Sequence, residues 1–124
     1  MKKLLVVAVY AVLMACSPGK EEASLLSPQA FQEQFRPEVV LIDVRTPEEF
    51  ESGSLPNSLN IDFKNEAFLD NIRLLDKEKT YLLYCASGIR SGKALEQMKQ
   101  EGFKNVFALE GGLEAWKAAG MEMD

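Results

Sequence analysis

The 124-residue sequence contains no histidine. Histidine is the usual base of hydrolytic triads and a common zinc ligand, so its absence excludes Ser-His-Asp triads, Cys-His dyads and histidine metal sites. The two cysteines are not arranged as Cys-x-x-Cys, which argues against a thioredoxin-type dithiol. A formal net charge of −5 offers no basic surface for nucleic acid. These absences leave few side chains with which the chain can do chemistry.

The first 15 residues are typical of a signal peptide rather than of a folded segment. Lys2 and Lys3 supply a positive start, and residues 4–15 form an uncharged apolar run. A membrane span needs about 20 such residues, so this run is too short for a stable transmembrane helix. We therefore expect residues 1–15 to be removed from the mature protein.

Cys16 follows this run, and the stretch Leu13-Met14-Ala15-Cys16 resembles the lipobox of bacterial lipoproteins. The resemblance implies that Cys16 becomes a lipid-modified N-terminus, with residues 16–23 as a tether and residues 24–124 as the folded domain. It predicts a protein anchored to a membrane of the bacterial cell envelope, on the periplasmic side or exported to the cell surface. The alternative is an ordinary secretory signal in which Cys16 has no role.

Strand and helix patterns alternate after residue 24. The 47% hydrophobic and 27% charged composition is ordinary for a globular chain, and the length suits one domain. The alternation favours an α/β fold with a parallel sheet and helices on both faces. The predicted strands cover residues 39–44, 80–84 and 106–109, and the predicted helices cover residues 28–35, 66–75 and 91–101, with shorter helices after Thr46 and Gly112.

The stretch Cys85-Ala86-Ser87-Gly88-Ile89-Arg90 connects a predicted strand to a predicted helix. Amides at the start of a helix have no partner within the helix, so they present partial positive charge at that point. Gly88 allows backbone dihedrals that a side chain would forbid. Cys85 is therefore a candidate nucleophile, with a buried structural thiol as the alternative. Arg90 is a candidate ligand for an anion, because a cation otherwise interacts unfavourably with a helix N-terminus.

Four motifs resemble those of rhodanese-domain sulfurtransferases and occur in the same order. They are the Cys85 to Arg90 loop, the segment Leu41-Ile42-Asp43-Val44-Arg45-Thr46-Pro47-Glu48-Glu49-Phe50 with Gly53, the strand Leu59-Asn60-Ile61, and Gly111-Gly112 with Trp116 and Gly120. Together they cover nearly all of the chain after its N-terminal segment. The chain is therefore identified as resembling this family along most of its length.

The resemblance implies a three-layer α/β/α fold around a mainly parallel sheet of about five strands. It implies that Cys85 carries a persulfide, which is held by the loop residues Ala86, Ser87, Gly88, Ile89 and Arg90. The implied partners are a small sulfur donor, either thiosulfate or a persulfide, and a thiol or cyanide acceptor. The implied reaction needs no metal or organic cofactor, and we expect a monomer that binds no nucleic acid.

Three further residues are expected near this site. The resemblance places Asp43 and Arg45 at its rim, where Arg45 binds an anionic donor, and a structural ion pair is the alternative. Glu49 completes a capping box with Thr46 and is therefore expected to be structural. Within the loop, Arg90 has the only charged side chain, so we expect thiosulfate, a dianion, to be used less well than a less charged persulfide.

Two other functions remain compatible with the pattern. Cysteine-loop phosphatases resemble Cys-x5-Arg, whereas this chain has Cys-x4-Arg, and the shorter loop favours a single sulfur atom over a phosphoryl group. A non-catalytic binding module can also use the same scaffold. Such modules often lack the cysteine, and this chain has both Cys85 and Arg90.

Overall fold

A computed structural model describes residues 24–123. Five strands form one sheet in the order β1-β5-β4-β2-β3, and each neighbouring pair is parallel. The strands are β1 (Leu25–Leu26), β2 (Val40–Asp43), β3 (Ser58–Asn60), β4 (Thr80–Tyr84) and β5 (Asn105–Leu109). The helices are α1 (Pro28–Gln32), α2 (Pro47–Glu51), α3 (Phe68–Ile72), α4 (Ile89–Gln100) and α5 (Gly112–Ala118). The predicted parallel five-stranded sheet is confirmed.

Strand β4 lies at the centre of the sheet and sends its side chains to two separate cores. Successive residues of a strand point to opposite faces, so Tyr81 and Leu83 join one core while Leu82 and Tyr84 join the other. The first core contains the apolar faces of α3 and α4, with Phe68, Ile72, Ala94, Leu95 and Met98. The second contains residues of α1 and α5, namely Phe31, Leu113 and Trp116. Helices therefore cover both faces, as the three-layer prediction requires.

The sequence predicted the position of most elements but not all of their ends. Helix α1 stops at Gln32 instead of residue 35, because the following amides of Gln34 and Phe35 bond three residues back rather than four. Helix α3 is likewise shorter than the predicted residues 66–75. The two-residue strand β1 was not predicted, since two residues carry no readable periodicity.

Two end signals of helices are confirmed in detail. The Thr46 side chain accepts a hydrogen bond from the amide of Glu49, and the Glu49 carboxylate accepts one from the amide of Thr46, which completes the capping box. At the end of α4, the amide of Gly102 bonds to Lys99 and that of Phe103 bonds to Met98. This pair of bonds is the Schellman pattern, with Phe103 buried behind it.

The N-terminal predictions concern residues that the structure does not describe. The signal peptide, Cys16 and the tether all fall within residues 1–23, outside the described part of the chain. Among the helices of residues 24–123, none combines the length and the hydrophobicity needed to cross a membrane.

Candidate active site

Cys85 lies directly after β4, at the carboxyl end of the central strand of the sheet. Ligand sites of parallel sheets form at this edge, because loops and helix N-termini converge there. The chain turns at Gly88, whose φ of +97° is disfavoured for any residue with a side chain, and α4 starts at the next residue. Cys85 has no exposed surface, so its sulfur is enclosed by the turn rather than presented on the surface.

Three hydrogen-bonding groups of the turn surround the Cys85 sulfur. The amide nitrogen of Gly88 lies 3.1 Å from Sγ and that of Ser91 lies 3.3 Å from it. The Ser91 hydroxyl oxygen is also 3.3 Å from Sγ. Amide donors near sulfur stabilise negative charge on it, because they need no reorganisation when the charge develops. The arrangement therefore fits a Cys85 thiolate that acts as a nucleophile. It fits equally well a Cys85 sulfur to which a second, negatively charged sulfur atom is bonded.

Ser91 was not among the predicted site residues. The serine expected among the loop residues that hold the persulfide was Ser87, but Ser87 is exposed, whereas Ser91 is fully buried against the sulfur. Ser91 follows Gly88 by three positions, which is about one turn of helix. The Ser91 hydroxyl and the Gly88 amide therefore lie on the same side of α4 and both contact the Cys85 sulfur. That spacing was readable in the sequence once the helix was known to begin at Ile89 instead of Ser91.

Helix α5 holds the loop from its other side. The amide of Leu113 donates to the carbonyl of Cys85 at 2.9 Å, and the amide of Glu114 donates to the carbonyl of Ala86 at 2.9 Å. Gly112 makes this approach possible, because a Cβ there would lie 2.6 Å from the backbone of Cys85 and Ala86. With these carbonyls bonded outward, the amides of the turn remain free to face the sulfur.

Arg90 and Glu49 form a two-pronged ion pair at the edge of the site. Arg90 Nη1 lies 2.8 Å from Glu49 Oε1, and Nη2 lies 3.1 Å from Oε2. Hydrogen bonds from Arg90 are the main cause that lowers the pKa of Glu49 to about 2, and bonds from Thr46 lower it further. The bond to Glu49 in turn raises the pKa of Arg90. The anion that faces Arg90 in the structure is thus a side chain of the protein.

Asp43 and Arg45 form a second, buried pair where β2 ends. Arg45 donates through Nε and Nη2 to the Asp43 carboxylate, and Nη2 also donates to the carbonyl of Gly53 at 2.7 Å. Burial is the largest single influence and lowers the pKa of Arg45, but the hydrogen bonds and charge of Asp43, with smaller contributions from Tyr84 and Glu49, together raise that pKa above its usual value. Arg45 is only 6% exposed. The structure thus contains the ion pair of Arg45 with Asp43, and the binding of an anionic donor by Arg45 stays a prediction.

The remaining loop residues differ in exposure. Ile89 is 64% exposed beside the turn, and Ala86 is partly buried where α5 contacts the loop. The structure therefore gathers the amides of Gly88 and Ser91 and the Ser91 hydroxyl around Cys85, while both predicted arginines are directed to carboxylates.

Comparisons with known proteins show which family the chain resembles. The family model described as "Rhodanese-like domain" matches residues 27–119. A thiosulfate sulfurtransferase GlpE from Pseudomonas syringae is 37% identical over 89 residues, which are 72% of this chain and 79% of that protein. A tRNA uridine(34) hydroxylase from Legionella pneumophila is 34% identical over 101 residues, but this chain, matched along 77% of its length, spans only 40% of that protein.

A solved structure supports the same assignment. The crystal structure of a rhodanese-related protein from Thermoplasma volcanium superposes with a TM-score of 0.71 at 31% identity, covering 82% of this chain and 96% of the other. With the family match over residues 27–119 and these relatives, the chain belongs to the rhodanese-like domain family.

Proposed function

We propose that the protein is a sulfurtransferase that carries sulfane sulfur as a persulfide on Cys85. The observation that carries the proposal is the enclosure of Cys85 Sγ by the amides of Gly88 and Ser91. A terminal sulfur bonded to Sγ would bear negative charge, and fixed amide dipoles stabilise such a charge without a metal or cofactor. The relative named as a thiosulfate sulfurtransferase supports the same activity for this chain.

The reaction is a double displacement at sulfur. The Cys85 thiolate attacks the outer sulfur of a donor R–S–SH, so that a Cys85 S–S bond forms, the S–S bond of the donor breaks, and R–S⁻ leaves. With thiosulfate as donor, the leaving group is sulfite and the enzyme holds Cys85–S–S⁻. A thiol or cyanide then attacks the outer sulfur, and the Cys85 thiolate is released. No electrons are gained or lost overall, because the sulfane sulfur moves unchanged.

Three alternative functions have less support. A phosphatase has to bind a phosphate dianion, yet both arginines near the site are paired with carboxylates. The hydroxylase relative supports a tRNA-modifying role less well, because the match covers only 40% of that protein. A binding module without chemistry would not need a buried sulfur with three hydrogen-bonding groups around it.

The cellular setting is part of the proposal. The lipobox-like stretch that ends at Cys16 supports a protein anchored by lipid in the bacterial cell envelope, with residues 24–124 acting as a monomeric domain next to the membrane. Cys16→Ala should abolish acylation and release the protein into the soluble fraction. Wild-type protein whose N-terminus is Ser17 or a later residue would contradict the anchor.

The activity is tested by intact mass after incubation with a sulfur donor. We expect thiosulfate or a small-molecule persulfide to add one sulfur atom to the protein, and cyanide to remove it as thiocyanate. Cys85→Ser should lose both steps while remaining folded, because a serine hydroxyl is not ionised at neutral pH. Cys16→Ser is the matched control, since it changes the only other cysteine and should still be loaded. Sulfur transfer by Cys85→Ser would refute the mechanism.

A further inference from the structure

The pairing of Arg90 with Glu49 changes the charge that the site presents to a donor. Within the loop, Arg90 has the only charged side chain, and its two terminal nitrogens are both bonded to the Glu49 carboxylate. Such a fork-to-carboxylate pair has a fixed geometry and strong, charge-assisted hydrogen bonds. A donor anion that approaches Arg90 has to compete with this carboxylate.

Glu49 is held in place independently of Arg90. Its Oε1 also accepts hydrogen bonds from the amide and the hydroxyl of Thr46, each at 3.1 Å. These bonds belong to the cap of α2, so they hold the Glu49 carboxylate in place without any contribution from Arg90. The lowered pKa of Glu49 means that the carboxylate stays charged throughout the neutral range. The negative charge of Asp62 also contributes to the raised pKa of Arg90.

The other arginine near the site does not replace Arg90. Arg45 is buried in its pair with Asp43 and the carbonyl of Gly53. Releasing one partner of a buried pair leaves an uncompensated charge, which is costly. The donor therefore meets neutral amides and two arginines whose charges are already matched by carboxylates.

We propose that Glu49 is a specificity-determining residue that disfavours dianionic sulfur donors and thereby favours persulfides of low charge. The inference rests on the proposed sulfurtransferase function. When thiosulfate reacts, the thiolate and the dianion bring three negative charges to one point, whereas the reaction with a protonated persulfide R–S–SH brings one. Only the reaction with thiosulfate needs an unpaired cation to offset this charge. Arg90 is the cation that the loop supplies, and it is paired with Glu49.

The test compares Glu49→Gln with Glu48→Gln. Glutamine serves as the N3 residue of a capping box, so Glu49→Gln keeps the cap of α2 while it frees Arg90. Glu48 is the exposed neighbour in the same helix turn, so Glu48→Gln removes the same charge without contact to Arg90. The initial rate of sulfur loading on Cys85 is followed by intact mass against the concentration of thiosulfate and of a small-molecule persulfide.

We expect Glu49→Gln to lower the ratio of the thiosulfate KM to the persulfide KM by about tenfold, which is the value of one modest charged contact. Glu48→Gln should change the ratio by less than about twofold, since an exposed charge without a contact is screened by solvent. The double variant Glu49→Gln/Arg90→Gln should lose the gain, since the freed cation is gone. A ratio that is unchanged in Glu49→Gln, or a gain that persists in the double variant, overturns the role of Glu49.

The same data separate this inference from the function on which it rests. If neither donor loads Cys85 in the wild type, the proposed function and this inference both fail. If both donors load Cys85 but the ratio is equal in wild type and Glu49→Gln, the sulfurtransferase function stands and the role of Glu49 alone is refuted. A low, salt-insensitive KM for thiosulfate in the wild type refutes it as well, because it would show that no unpaired cation is needed.

Discussion

Helices α4 and α5 begin in the same way but use their N-termini differently. Each follows a strand through a glycine with positive φ, +97° at Gly88 and +78° at Gly111, and neither glycine has a side chain to cap the helix. The free amides at the start of α4 face the Cys85 sulfur. Those of α5 donate instead to the carbonyls of Cys85 and Ala86. One helix start therefore holds the sulfur of Cys85, the candidate nucleophile, and the other holds the loop that contains it.

The charges in the two first turns differ as well. Helix α5 has Glu114 in its first turn, which the helix dipole favours, whereas α4 has Arg90 there, which the dipole disfavours. Glu49 offsets that unfavourable position by its bidentate contact. The first turn of α5 therefore has a charge that the helix dipole favours, whereas the first turn of α4, which encloses the candidate nucleophile Cys85, has a charge that the dipole disfavours.

The largest effect is expected when the contact of α5 with the loop is broken by Gly112→Ala. The new Cβ would lie 2.6 Å from the backbone of the loop, and the φ of +62° is unfavourable for alanine. We expect a loss of about 2–4 kcal/mol in the free energy of unfolding and a large loss of sulfur loading. Gly120→Ala is the control, with a φ of +80° and no atom near its Cβ, and it should cost about 1 kcal/mol. Equal losses in chemical denaturation would contradict the proposed role of the contact.

The next largest effect is on the rate of sulfur loading, and it separates the contribution of the Ser91 hydroxyl from that of the Ser91 amide. Ser91→Ala removes the hydroxyl near Sγ and leaves the amide, so sulfur loading should slow by about tenfold, corresponding to one hydrogen bond to a charged atom. Ser87→Ala, which removes an exposed hydroxyl of the same loop, should have little effect. Steady-state kinetics decide between the two serines, and a larger defect in Ser87→Ala would reverse the assignment.

A smaller effect, a gain in the free energy of unfolding, is expected from a substitution within α4. Gly92 lies in the helix, and a Cβ added there would have no neighbouring atom within 4 Å, so Gly92→Ala fits without strain. Alanine should raise the free energy of unfolding by about 0.5–1 kcal/mol, because glycine loses more backbone freedom in a helix. Thermal or urea denaturation measures the change. A loss of stability at Gly92 would show that α4 is packed more tightly at its start than the structure indicates.

The smallest effect concerns Glu49 and pH. Its pKa is lowered in the folded protein from 4.5 to about 2, so its contribution is fully present above about pH 5 and is lost as the pH falls toward 2. The pair is partly exposed, so we expect wild type and Glu49→Gln to differ by at most about 1 kcal/mol at neutral pH. Urea titrations at several pH values should show this difference shrinking on acidification. A difference that grows toward low pH would contradict the ion pair.

Features that depend on neighbouring residues could be predicted from the amino-acid sequence alone. Strand β4 has the predicted bounds, and Cys85 lies directly after it. The capping box at Thr46 and the glycine end of α4 were readable because their hydrogen bonds join residues within one or two turns. Four ordered motifs were sufficient to identify the family, since each of them is a local pattern.

Which distant groups meet at the site depends on the tertiary structure. Arg90 and Glu49 are separated by 41 positions in the sequence, and α5 reaches the loop only because β5 lies beside β4 in the sheet. Local patterns assigned Arg90 to a bound anion and Glu49 to a helix cap, because each assignment used only nearby residues. The order of the strands brings α2, α4 and α5 to one edge of the sheet, and that order is set by long-range packing that no local pattern encodes.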